Sequence, residues 1–116
     1  MKYSIQESIN HYLETVKFSR STNTERTYRN ALNVFQQDLI DNGIDLNGDV
    51  SFINESVMIS FISSLKNYSP ATERLYITAS AGYFEYLAAE HLSQINLPRM
   101  RLLIRQRARR PGIRLP

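Results

Sequence analysis

One short pattern is written twice in this chain. Ser21-Thr22-Asn23-Thr24-Glu25-Arg26-Thr27-Tyr28-Arg29-Asn30-Ala31 returns as Ser69-Pro70-Ala71-Thr72-Glu73-Arg74-Leu75-Tyr76-Ile77-Thr78-Ala79, and the match continues with Phe35 and Leu39 in the first copy against Tyr83 and Leu87 in the second. Shared spacing over so many positions implies two helices that begin alike, bury alike and face the same object. In the first copy Thr24, Tyr28, Ala31, Leu32, Phe35 and Leu39 recur at the three-and-four spacing of one buried helix side. At about 100° per residue the opposite side carries Arg26, Asn30 and Asn33, with Thr22 and Arg29 on its flank. In the second copy the buried stripe is Thr72, Tyr76, Ala79, Ser80, Tyr83 and Leu87. Arg74, Thr78 and Ala81 point away with Gly82 beside them, and these small residues permit close approach. A helix start adds unpaired backbone N–H groups and a partial positive charge, which together suit a phosphate. The same starts also read as ordinary capped helices, with Thr22 and Glu25 at capping-box spacing. Two copies fall short of the three or more that stack into a solenoid.

The remaining segments are helical as well. Ile5, Ile9, Tyr12, Leu13 and Val16 line a first helix from about Ser4 to Lys17, with Ser4 and Glu7 as a capping box. The break at Phe18-Ser19-Arg20-Ser21 is short, so the second helix, about Thr22 to Asp41, packs close to the first; Gly43 after Asn42 stops it. Residues 43–53 hold two Gly, two acids and no period, and read as a loop. Asp45, Asn47 and Asp49 stand like the opening of a calcium loop, but Ser56 occupies the place of the closing Glu, so a solvated loop is expected and no metal. Asn54 caps a third helix that turns Val57, Met58, Phe61, Ile62 and Leu65 inward. Lys66-Asn67-Tyr68 is the hinge into the fourth, where Ser69 as cap and Pro70 at the first position are a strong start signal; this helix reaches Ala89 or Glu90. Asn96-Leu97-Pro98 opens a fifth helix whose narrow stripe of Leu97, Met100, Leu103 and Ile104 lies back on the bundle. After Arg107, Pro111 and Gly112 forbid regular structure. Nothing strand-like remains. The expected fold is all-α, a compact four- to five-helix bundle, with residues 1–96 as the helical domain and 97–116 as a basic helix and linker.

At 116 residues the chain forms one domain with a modest core, too small for a catalytic and a binding domain together. It has no Cys, which excludes disulfides and thiolate metal sites. No leader precedes the first helix and no apolar run approaches the roughly 20 residues that span a bilayer, so a cytoplasmic location without membrane contact is expected. The formal net charge of +3 hides an asymmetry. Residues 1–96 hold 7 Lys and Arg against 11 Asp and Glu, a balance of −4, whereas residues 97–116 hold 7 Arg and no acid, a balance of +7. A basic end of this kind is the electrostatic footprint of a polyanion partner, and also the composition of a solvated linker. His11 and His91 stand alone, so neither a metal site nor general-base chemistry is supported, and no cofactor is expected.

The order and spacing of these segments resemble the N-terminal core-binding (SAM-like) domain of tyrosine recombinases, the phage integrase and Xer family. The resemblance runs through Ile9, Tyr12 and Leu13; Ser21, Thr24, Tyr28, Leu32 and Phe35; Ile59, Phe61, Ile62 and Leu65; then Ser69 and Thr72 leading to Ala79, Phe84, Tyr86 and Leu87. Asn96, Pro98 and the basic run ending in Leu115-Pro116 look like the exit into that family's catalytic domain. Such a domain forms half of a clamp around recombination-site DNA and sets the starts of its second and fourth helices on the duplex. Carried over to this chain, the implied contacts are Ser21, Thr24, Arg26 and Arg29 on one helix, Ser69, Thr72 and Arg74 on the other, and Lys66 between them. The family departs from this chain late in the fourth helix, where Ala81 and Glu85 replace basic residues. Its phosphoryl-transfer tyrosine belongs to a domain that would begin beyond Pro116, so no enzymatic role is expected for this segment. Tyr12, Tyr28, Tyr76, Tyr83 and Tyr86 belong to apolar stripes or clusters, and none has a poised base beside it.

The leading expectation is a double-stranded DNA-binding module for site-specific recombination and DNA integration. Arg20, Arg26, Arg29, Lys66, Arg74 and the arginines Arg105, Arg109 and Arg110 would meet phosphates, and Arg or Asn side chains of the paired helices would meet base edges. Self-association with other protomers on the DNA goes with the same resemblance. The alternative is a helical protein-interaction module, docking through the fourth helix or the stripe of Leu97, Met100, Leu103 and Ile104. A helix-turn-helix repressor fits less well, because its two helices need a tight turn and here a loop and a further helix intervene.

Overall fold

The computed structural model describes residues 3–109. It contains five α-helices, α1 (Ile5–Ser19), α2 (Thr22–Asp41), α3 (Val57–Ser64), α4 (Pro70–Ala89) and α5 (Leu97–Arg107), with single 3-10 turns at Val50–Phe52 and Leu65–Asn67. Among the described residues no strand forms; the sole β feature is an isolated bridge between Ser4 and Asp49. No helix in that range is long and apolar enough to cross a membrane.

Each helix forms for a local reason. Ser4 caps α1 in a complete capping box, its Oγ accepting the Glu7 N–H at 3.0 Å while the Ser4 N–H donates to Glu7 Oε1 at 2.9 Å. The 43–53 loop satisfies the next two donors, Ile5 N–H on Gly48 O and Gln6 N–H on Leu46 O, both at 2.9 Å. The loop is therefore tied to the start of α1, with Asp45 and Asp49 each accepting a backbone N–H two residues ahead. Asn54 acts one turn earlier than expected: its Oδ1 accepts the Ser56 N–H at 2.8 Å and closes a turn, and α3 proper starts at Val57 without a side-chain cap.

The two repeated helices match at both ends. Each has 20 residues. At the far end of α2, Gly43 sits at φ 81°, and Ile44 N–H returns to Leu39 O at 2.9 Å. At the far end of α4, His91 takes the same left-handed place at φ 56°, and Leu92 N–H returns to Leu87 O at 2.9 Å. Both are the helix ending in which a left-handed residue lets the chain fold back on the last turn.

Phe35, fully buried, is the centre of the core, with ring centroids 5.2 Å from Phe61, 5.8 Å from Tyr83 and 5.8 Å from Phe84. Helix directions follow from the polar contacts that cross it. Ser8 Oγ meets Tyr83 Oη at 2.6 Å, and the Tyr12 hydroxyl donates to Ala79 O at 3.1 Å, so α1 runs antiparallel to α4. The short link at Arg20-Ser21 and the Tyr12–Tyr28 ring pair make α1 and α2 an antiparallel hairpin. Consequently α2 and α4 run the same way and begin at the same end of the bundle. Met100 and Leu103 of α5 are buried against the bundle, so its apolar stripe is used within the fold.

Candidate nucleic-acid interface

The two repeated starts adopt the same geometry. Ser21, not Thr22, caps α2: at φ −70° and ψ 163° its Oγ accepts the Thr24 N–H at 3.1 Å and donates to Thr24 Oγ1 at 3.0 Å. Ser69 caps α4 at φ −64° and ψ 155°, with both corresponding distances 3.1 Å. In each helix the acid that follows sends its N–H to the cap carbonyl at 2.9 Å, Glu25 to Ser21 and Glu73 to Ser69. The four hydroxyls are thus engaged in capping, and of their donors only the proton of each Thr hydroxyl remains for a ligand. Thr24 and Thr72 are half-buried, at the core edge that the periodicity assigned to them.

The acids of the two copies then diverge. Glu25 pairs with Arg29 one turn on, at the surface, and so does not close a capping box. Glu73 is only 1 % exposed and gathers the chain around itself. Its Oε2 accepts Lys66 Nζ at 3.1 Å and the Arg109 backbone N–H at 2.9 Å, and its Oε1 accepts Arg109 Nε at 2.7 Å. Lys66 Nζ also donates to Arg107 O at 2.8 Å, and Arg109 Nη2 to Tyr68 O at 2.6 Å. Desolvation alone would raise the Glu73 carboxyl, but the Arg109 backbone N–H, the Arg109 guanidinium and Lys66 outweigh it and hold it below the ordinary carboxylate range. Two expected phosphate ligands, Lys66 and Arg109, are therefore bound to an internal carboxylate.

Glu73 was missing from the sequence reading. It lies on the series Glu73, Ile77, Ser80, Phe84 and Leu87, which keeps helical spacing and is buried throughout. The expected stripe began one residue earlier, at Thr72 and Tyr76, and both of these are only half-buried. A buried acid needs cations, and the signal available in the sequence was a Lys one element upstream together with the unmatched arginines at the end of the chain.

The outer side of α4 is also less open than its small residues implied. Arg74 and Thr78 are exposed, but Ala81 and Gly82 are half-covered, and Tyr12 of α1 makes the close approach: a Cβ on Gly82 would overlap the Tyr12 hydroxyl. Burial first, and the neighbouring Tyr28 second, raise the Tyr12 phenol against the opposing pull of Arg20. Burial likewise raises the Tyr83 phenol, whose hydroxyl is engaged with Ser8.

Between α4 and α5 lies a groove of about 270 Å³ lined by Arg74, Arg105 and Arg109, by the apolar Ile77, Ile104 and Ala108, and by Thr78. A neighbouring concavity shares Ile77, Thr78 and Ile104 with it and brings in Arg20, Tyr28 and Glu85. Glu85 pairs with Arg101 at 3.1 Å. Among the described residues Arg20, Arg26, Arg74 and Arg105 make no ion pair, whereas Arg29, Lys66 and Arg109 do. Arg110 lies outside the described residues. No group of three or more described His, Asp or Glu side chains is placed to hold a metal ion. Compared with known proteins, the chain matches no family model, no curated protein and no solved structure.

Proposed function

We propose that this chain is a double-stranded DNA-binding module, the SAM-like core-binding part of a site-specific tyrosine recombinase. One observation carries the reading: two helices of equal length, capped through the same hydrogen bonds, start at the same end of the bundle, each with an exposed arginine in its second turn, Arg26 and Arg74. Helix starts present backbone donors and positive potential to an anion, and guanidinium forks fit phosphate oxygens. In this reading Arg20, Arg26, Arg74 and Arg105 meet backbone phosphates directly. Arg29, itself exposed, joins them by leaving the half-buried Glu25. Asn30 and Asn33, exposed on the outer side of α2, are the side chains for base edges. Cutting and rejoining of DNA belongs to a catalytic domain outside this sequence.

The test is anisotropy of a labelled duplex at two salt concentrations. Five phosphate contacts give a log–log salt slope of about −4.5, so affinity falls roughly 500-fold between about 50 and 200 mM salt. The double substitution Arg26→Ala with Arg74→Ala abolishes binding and leaves self-association untouched. Flat anisotropy at low salt for the unmodified chain would refute the reading.

A further inference from the structure

We propose that the groove between α4 and α5 is a phosphodiester-binding subsite, and that Glu73 is the buried positioning residue that assembles it. The inference rests on the DNA reading above and extends it from Arg74 of the α4 start to a groove that α4 shares with α5.

Three guanidinium groups from separate parts of the chain converge on this groove: Arg74 from α4, Arg105 from α5, and Arg109 from the segment after α5. Neither Arg74 nor Arg105 meets an acid among the described residues. Like charges brought together beside apolar side chains repel each other, and with less water between them the repulsion is stronger; an anion placed among them removes that cost. Arg109 is held by its Nε on Glu73 Oε1 at 2.7 Å and by Nη2 on Tyr68 O at 2.6 Å, so its planar fork is fixed and its other N–H donors stay available. The Glu73 carboxylate also takes the Arg109 backbone N–H, which ties the main chain beyond α5 to the first turns of α4.

A phosphodiester suits the groove because it offers a bidentate anion together with sugar carbons for Ile77 and Ile104. Glu73 therefore aids anion binding although it is itself an anion. That consequence separates positioning from bulk charge: Glu73→Gln makes the chain more positive, and charge alone would tighten its hold on DNA, whereas loss of the tie loosens it.

Duplex anisotropy on the full chain tests this. Arg105→Ala is expected to weaken binding about tenfold and to flatten the salt slope by about 0.9, the loss of one phosphate. Arg101→Ala removes the same charge from the same helix outside the groove and is expected to change binding by less than about twofold. Glu73→Gln is expected to weaken binding about fivefold or more with a flatter slope. If Glu73→Gln fails to fold by circular dichroism, Arg109→Lys, which keeps the charge and loses the fork, takes its place with the same expected loss. Equal effects of Arg105→Ala and Arg101→Ala would overturn the subsite while leaving DNA binding intact, and tighter binding by Glu73→Gln would overturn the positioning role. Arginine-dependent capture of an acidic peptide in place of duplex would overturn the phosphodiester assignment. No binding by the unmodified chain would remove the DNA reading itself, and this subsite with it.

Discussion

Replacing Gly82 with alanine sets two physical effects against each other, and the structure decides the sign. In an ordinary helix interior the change is favourable by about 1 kcal/mol. Here the new Cβ would overlap the Tyr12 hydroxyl and stand 3.4 Å from Tyr12 Cζ, so the phenol must move. Tyr12 has little freedom to do so. It is 6 % exposed, its hydroxyl donates to Ala79 O at 3.1 Å, and its ring lies 5.8 Å from Tyr83 and 5.6 Å from Tyr86. Losing the hydrogen bond costs about 1 kcal/mol, and forcing a packed ring aside costs about 1–3 kcal/mol more. The expected net loss for Gly82→Ala is about 1–3 kcal/mol, or roughly 3–10 °C in Tm for a chain of this size. Tyr12→Phe removes the obstructing oxygen, and the remaining contact at Cζ is ordinary van der Waals distance. Alone it costs about 1 kcal/mol for the lost hydrogen bond; combined with Gly82→Ala it recovers the helix propensity, so the double variant lies within about 0.5 kcal/mol of the unmodified chain. Urea denaturation followed by circular dichroism on all four proteins yields the coupling energy, expected at about 2–4 kcal/mol in favour of the pair. A stabilised Gly82→Ala, or additive single changes, would refute the argument.

Two further substitutions test local geometry. His91→Gly relieves a left-handed residue at the end of α4 and is expected to raise stability by about 1 kcal/mol in thermal unfolding, with no gain if φ 56° is not the conformation in solution. Asp38 is buried, and desolvation outweighs the Ser60 and Asn42 hydrogen bonds and raises its carboxyl above the usual range. Its folded form therefore holds a proton more tightly than its unfolded form, and the penalty of the charged group is present at neutral pH and relieved as pH falls through the raised value. Asp38→Asn, which keeps an acceptor for Ser60, is expected to raise Tm at pH 7 and to lose that advantage near pH 3; an advantage that grows on acidification would contradict the sign.

The helices were legible because their signals are local. Ser4 with Glu7, Ser69 with Pro70, and Gly43 after Asn42 each act within a turn of their own position, and the structure places them as caps and stop. The periodicity of α1 and α2 also carried through, since each helix buries a single side. Helix α4 resisted for a tertiary reason. It packs against α1, α2 and α5, so its covered arc is wide and Ile77 and Phe84 are as well buried as Tyr83. A three-and-four count on such a helix admits several stripes, and the one chosen left Glu73 outside. The matched ending of α2 and α4 was hidden by chemistry: Gly43 announces a left-handed turn, whereas His91 adopts one without announcing it.

Charge is where sequence arithmetic and structure part most. Counting Lys66 and Arg109 with the free arginines assumes that each formal charge reaches the solvent, but both are committed to Glu73, whose burial makes their release expensive. Arg29, whose partner Glu25 is half-buried where Glu73 is fully buried, is committed less tightly. The expected phosphate ligands sort accordingly into Arg20, Arg26, Arg74 and Arg105, which meet an anion at no internal cost; Arg29, which must leave a half-buried partner; and Lys66, whose departure would leave a carboxylate buried with one cation fewer. Arg109 differs from all of them, because its tie to Glu73 leaves part of its fork available. The acid that lowers the apparent positive charge of this end of the molecule is thus the group that gives the charge a fixed geometry, and geometry rather than net charge distinguishes a site from a merely basic surface.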